Sequence, residues 1–103
     1  MSKKRQSIKA VIYDRRGRVL SIGYNSYLKT HPIQAHHARV AGEPERMFLH
    51  AEIHALVRCR DLSKADKIFV SRWDNNGRPK LAKPCKICQS AIDAAGIKKV
   101  VHT

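Results

Sequence analysis

Two short stretches carry side chains that can do chemistry together: His50-Ala51-Glu52 and Pro84-Cys85-Lys86-Ile87-Cys88. They offer one imidazole, two thiolates and one carboxylate. Imidazole and thiolate are ligands that zinc takes readily. Three such ligands leave a fourth position open for water, as a catalytic site requires. Zinc brings the pKa of that water toward neutrality. Glu52 need not bind the metal and can carry a proton from the water to a ring or leaving nitrogen. The same residues also allow a closed site. His50 and His54 are four apart, so both can face one ion beside Cys85 and Cys88, giving a structural Cys2His2 centre. That arrangement leaves Glu52 and Pro84 without a task.

Spacing decides what must hold these groups. Two residues on a helix are about 200° of rotation apart, so His50 and Glu52 diverge in mid-helix. They serve one site only in a first turn, with the metal off the helix end. Cys85 and Cys88 fit the first turn of a second helix, where the helix N-terminus and the metal both favour thiolates. The expected centre is therefore two helix N-termini aimed at one ion.

The rest of the chain supplies elements for that arrangement. Residues 7–14 read as a strand with Ile8, Ala10 and Ile12 on one side. Arg15 to Arg18 is a turn, with Gly17 suited to positive φ. Val19 to Tyr24 is a second strand, completing a hairpin. Residues 25–48 are irregular, with a short helix expected over residues 33–40. Residues 49–62 read as a helix whose buried stripe is Ala51, Ala55, Leu56 and Cys59. Lys67 to Trp73 is a strand, and Asp74 to Gly77 is a turn leading into a basic connection. Residues 85–95 form the other helix, with Pro84 at its start and Gly96 just past its end. Residues 98–102 are a last strand. This order predicts an α/β sandwich of two or three layers on a mixed sheet of about four strands.

At 103 residues the chain is one domain, read as residues 7–103 behind a basic arm at residues 1–6. A chain of this size buries roughly 65% of its unfolded surface, so the core is modest. No apolar run approaches the ~20 residues that span a bilayer, and no signal-peptide core follows Met1. An intracellular, cytoplasmic protein is expected. A C-x-x-C suits a metal site in a reducing compartment better than a disulfide framework. The net charge of +13 favours an anionic partner, a nucleotide or a nucleic acid, although a solvated basic surface also accounts for it.

The H-x-E…P-C-x-x-C pattern is the known signature of zinc deaminases, and the chain resembles the zinc-dependent cytidine and deoxycytidylate deaminase superfamily. The likeness extends over residues 8–103 and is closest in look to deoxycytidylate deaminases. Gly23-Tyr24-Asn25 is similar to the segment whose Asn contacts the substrate sugar, and residues 91–101 are similar to the helix-to-strand segment of the deoxycytidylate branch. The resemblance implies zinc on His50, Cys85 and Cys88, proton transfer by Glu52, and substrate contacts from Asn25, Ala51 and Tyr24. Without it, Asn25 reads equally well as a strand-end turn residue. The chain departs from the family pattern in three places. Residues 1–6 are too few for the usual first helix. The sheet stops a strand short. Residues 72–83 intervene where a short Glu-Pro-Cys link is usual.

The other candidates are weaker. Cys59 reads as a buried small apolar residue. His31, His36 and His37 read as solvated side chains, or as a contact to substrate phosphate. Tyr24, Tyr27, Phe48 and Trp73 read as core or loop anchors, one of which can stack on a base.

The resemblance implies hydrolysis of cytosine to uracil in a free nucleoside or nucleotide, foremost dCMP to dUMP, by water held on zinc and directed at C4. The alternative is a deaminase of A or C within RNA or single-stranded DNA, like the tRNA adenosine deaminases. A third reading, a zinc-stabilised nucleic-acid-binding module without catalysis, leaves Glu52 unused. A homo-oligomer is expected, because the missing first helix and last strand would leave apolar surface open.

Overall fold

Alternation of apolar residues builds the centre of the sheet. In a computed structural model describing residues 7–25, 32–40, 42, 50–74 and 76–103, β1 (Ser7–Tyr13) lies between β2 (Val19–Tyr24) and β3 (Lys67–Trp73), antiparallel to both. The register pairs Ala10 with Gly23 and Val70, and Ile12 with Ser21 and Ile68. These residues share one face, because successive side chains alternate. On that face Ala10, Ile12, Ile68 and Val70 are buried with Ala51, Ala55, Cys88 and Ile92. Fully burying each large aliphatic side chain stabilises the fold by about 1.5–3 kcal/mol.

The far edge of β3 is shared. β5 (Lys99–His102) runs parallel along its first half, and β4 (Pro79–Lys80) pairs antiparallel with Arg72 and Trp73. Among the described residues the sheet thus has five strands where about four were expected. The extra one is two residues long and begins with a proline, which an edge tolerates because no ladder N–H is needed there. Both hairpin turns are built alike. Asp14 and Asp74 each accept the backbone N–H groups two and four residues on, and Gly17 and Gly77 take positive φ.

The helices α1 (Pro32–Val40), α2 (Ala51–Arg58) and α3 (Lys86–Ala94) lie on the face just described. α2 packs against the sheet, while α1 packs on α2 and α3. Among the described residues no helix packs on the opposite face, so two layers are formed. α1 falls where a short helix was expected. α2 is shorter than the 49–62 expected. It stops at Arg58, and Cys59 is its extended, half-buried C-cap. The apolar spacing continues through Leu62, but the Asp61 side chain accepts the Ser63 N–H at 3.1 Å and starts a separate 3-10 turn at Leu62–Lys64. Such local bonds compete with helix continuation. α3 ends as its sequence predicts: Gly96 has φ +77, its N–H reaches the Asp93 carbonyl, and the Ile97 N–H reaches Ile92. That is a Schellman cap, and it buries Ile97 against the core.

Candidate metal centre

The site forms where α2 and α3 begin. His50 is the N-cap of α2 and Cys85 the N-cap of α3, both with extended backbone, while Glu52 and Cys88 lie in the first turns. Neither N-cap side chain makes the usual capping bond to its helix; His50 reaches the cysteines of α3, and Cys85 meets Cys88 in its own first turn. His50 Nδ1 is 3.2 Å from Cys88 Sγ and 3.6 Å from Cys85 Sγ. All three donor atoms lie within 4.8 Å of one another. Zinc bonds of about 2.3 Å to sulfur and 2.0 Å to nitrogen, set tetrahedrally, would hold those atoms about 3.5 Å apart. The donor set fits zinc in type and in separation.

Without a metal the two sulfurs share a proton. Cys85 is held down to about 3, chiefly by the Cys88 thiol it accepts from and also by His50, against the effect of burial. Cys88 is pushed up by that same bond, by burial and by Glu52. One proton therefore stays with the pair, and a divalent ion is what lets both sulfurs bind as thiolates.

Glu52 is 6% exposed and stands outside the donor trio. Burial raises its pKa above the ordinary carboxylate value, opposed by hydrogen bonding and by His50. A buried acid so placed can hold a proton nearer neutral pH than a surface carboxylate does. His54 does not join the group. Its Nδ1 accepts the Tyr24 N–H at 3.0 Å, tying α2 to the end of β2. Among the described residues the candidate metal group is His50, Cys85 and Cys88, and the closed Cys2His2 arrangement is not formed.

β2 reaches the site through Gly23. A Cβ there would sit 2.3 Å from both the Ala51 carbonyl oxygen and the Ala55 nitrogen, so only a glycine lets the strand run this close to α2. The fully buried Ala51 thus lies between the metal ligand His50 and Glu52, with β2 against its carbonyl. Asn25, two residues past Gly23, exchanges bonds with Ile8: its N–H donates to the Ile8 carbonyl, and its Oδ1 accepts the Ile8 N–H at 3.0 Å. Tyr24 meets α2 through its backbone. Half-exposed, Tyr24 is in register with Lys9 on the opposite face of the sheet, where Trp73 also lies. Tyr27, Phe48 and His31 fall outside the described residues.

Two supporting residues escape the sequence reading. Gln34 of α1 is fully buried, and its Oε1 accepts the His50 backbone N–H at 3.2 Å. His37, one turn on, lies 2.9 Å from Ser90 Oγ on α3, and burial followed by the neighbouring His36 lowers its pKa. The expectation of a solvated His37 is thereby corrected. His36 is exposed and meets His37 edge-on. A polar pair at i and i+3 on a short helix was the available signal, since such residues share a face.

Three donors among the described residues, beside a buried acid that is not one of them, match a catalytic zinc domain rather than a closed structural finger. The family model of the cytidine and deoxycytidylate deaminase zinc-binding region matches residues 2–103, and the chain belongs to that family. No curated protein matches the chain in a sequence search. The domain is thus a zinc-dependent deaminase of the cytidine/deoxycytidylate type.

Proposed function

We propose that this deaminase hydrolyses cytosine in a free nucleotide, converting dCMP and water to dUMP and ammonia. The observation that carries the reading is the buried Glu52 carboxyl beside, but outside, the donor trio. His50, Cys85 and Cys88 would hold zinc, which would supply an acidified water as nucleophile for the ring carbon that bears the amino group. The chain's own groups do the rest. Glu52 takes one proton from the water and passes it to the ring nitrogen N3, then takes the second from the hydroxyl added at C4 and delivers it to the departing amine, leaving the C4 carbonyl and ammonia. Its raised pKa suits both the giving and the taking. Ala51, packed between ligand and acid, forms part of the floor under the base. Asn25, at the end of β2, contacts the sugar through its side chain. Tyr24 supports that edge through its backbone bond to His54.

A second reading is supported by the net charge of +13. The same centre would deaminate a base within RNA or single-stranded DNA, with basic residues neutralising phosphates. The test is a panel of cytosine- and adenine-containing nucleosides, nucleotides and oligonucleotides offered to the zinc-loaded protein, with products identified by mass. Turnover of dCMP well above that of every oligonucleotide supports the first reading. Turnover confined to oligonucleotides replaces it with the second.

A further inference from the structure

A groove of about 850 Å³ lies at the far end of the domain from the metal centre. It is walled by the β1–β2 turn, the 3-10 turn after α2, and the connection from α3 to β5. α2 and α3 begin at the metal site and end beside this groove, so helices of eight and nine residues separate the two by roughly 12–14 Å. Arg15, Arg16, Arg18, Lys64, Lys98 and Lys99 line it, six of the chain's 21 Lys and Arg residues. Only two carboxylates, Asp14 and Asp66, share the lining, an excess of four positive charges. Both are already engaged. Asp14 pairs with Arg18 at 3.5 Å and accepts two turn N–H groups, and Asp66 pairs with Lys99 at 3.2 Å. Arg16 lies near Asp14 and Lys64 near Asp61, but none of Arg15, Arg16, Lys64 and Lys98 closes an ion pair among the described residues, so all four can face an incoming anion.

We propose that this groove docks the phosphodiester backbone of a nucleic acid, at a place separate from the metal centre. Three properties select that ligand. The lining carries an excess of four positive charges from three loops, more than one compact phosphate neutralises, which suits a ligand with several phosphates. No aromatic side chain lines it among the described residues, so a base has no ring to stack on and a free nucleotide would be held by its phosphates alone. The chain's net charge of +13 exceeds the groove's own excess of four, and long-range attraction of that kind favours an extended polyanion over a compact one. Docking here leaves the site of deamination untouched, whichever cytosine- or adenine-bearing substrate that site accepts.

The test reads binding directly, so it is independent of turnover. A fluorescein-labelled 20-nucleotide single strand is titrated with protein at several salt concentrations, using the parent, Arg15→Ala/Arg16→Ala/Lys98→Ala, and the control Arg78→Ala/Lys80→Ala/Lys83→Ala. All six positions are exposed, and far-UV circular dichroism checks that each protein folds. Each lost phosphate contact on a single strand takes about 0.7 from the slope of log affinity against log salt. The groove variant should therefore have a slope shallower by about 2 and bind about tenfold more weakly at low salt, while the control stays near the parent. Equal losses in the two variants would overturn the proposal in favour of diffuse charge. So would displacement of the strand by inorganic triphosphate at equal phosphate concentration, which would mark a compact-anion pocket. Turnover of free dCMP, which does not need the groove, should be the same in the groove variant and the parent.

Discussion

The buried side chain of Gln34 holds the backbone of His50: Oε1 accepts the His50 N–H at 3.2 Å. The N–H groups at a helix start have no partner within the helix, and here the partner comes from α1, sixteen residues earlier. With His37 set against Ser90, α1 bridges the two helices that carry the metal ligands. Replacing Gln34 by Met keeps the bulk and removes the acceptor. We expect a loss of about 1–3 kcal/mol in stability and roughly 10–100-fold weaker zinc binding, as for other outer partners of metal ligands. Competition with a chromogenic chelator measures the affinity, and Gln34→Glu, which restores an acceptor oxygen, should recover part of it. Unchanged affinity in Gln34→Met would remove this role.

Gly23→Ala tests how closely β2 and α2 must approach. The new methyl would lie 2.3 Å from two backbone atoms of α2, and neither can step aside as a flexible side chain would. Overpacking of this kind costs about 1–3 kcal/mol or more. The helix that must move carries His50 and Glu52, so zinc content should fall along with the melting temperature. A variant that melts like the parent and keeps its zinc would show that α2 shifts without cost.

Four of the five strands and the donor trio were legible in the sequence, and the reasons are local. Ile8, Ala10 and Ile12 alternate in a single run, and β1 faces the core with them. His50, Glu52, Cys85 and Cys88 announce their helix starts through spacing alone. What escaped depends on partners distant in sequence. Nothing near Gln34 says that an amide between Ile33 and Ala35 turns inward toward residue 50. β4 exists because Trp73 pairs with Pro79 and Arg72 with Lys80 across the Asp74 turn, and a two-residue strand has no period to read. The premature end of α2 reflects a competition, Asp61 with Ser63 against one more helical turn, in which apolar spacing pointed the other way.

Metal loading separates the ligands from their neighbours. Cys85→Ser, Cys88→Ser and His50→Ala should each lose zinc. His54→Ala should keep it, because His54 bonds to Tyr24 and stands outside the donor group. Glu52→Gln should keep both zinc and fold yet lose turnover by about 10²–10⁴-fold, the usual contribution of a general acid–base group. Metal analysis beside a product assay reads both. A Glu52→Gln enzyme with near-parent turnover would take Glu52 out of the chemistry.

Asp74 gives a pH signature in stability. Its pKa is lowered, first by the Arg78 backbone N–H it accepts, then by Asn76 and Lys80, with partial burial opposing. A carboxyl with a depressed folded-state pKa stabilises the fold above its unfolded value of 3.8, and the contribution fades as pH falls through the lower folded value. Asp74→Ala should therefore melt below the parent by a constant margin at neutral and mildly acidic pH. The gap should close under strongly acidic conditions. A gap that stays constant to the lowest pH at which both proteins fold would assign the turn's stability to its backbone instead.

The sheet face away from the helices predicts self-association. Val11, Ile22, Phe69 and Val101 share it by register with Lys9, Lys67 and Lys99; Val11 is buried and Ile22 and Phe69 half-buried, and among the described residues no helix packs there. Val101 and Trp73 are exposed at its margin. Apolar surface of this kind usually marks a contact, and a second copy related by a twofold axis would cover both faces at once. Charge opposes this, since each copy brings +13 and like charges repel. The Debye length at physiological salt is only about 8 Å, so the repulsion is short-ranged there while burial is unaffected. Association should then strengthen as salt rises from low to physiological levels, and a charge on the face, as in Phe69→Glu, should abolish it. Light scattering across a salt series follows both, with circular dichroism to confirm that the variant folds. A monomer at every salt and at micromolar concentration would leave that face to solvent and end the idea.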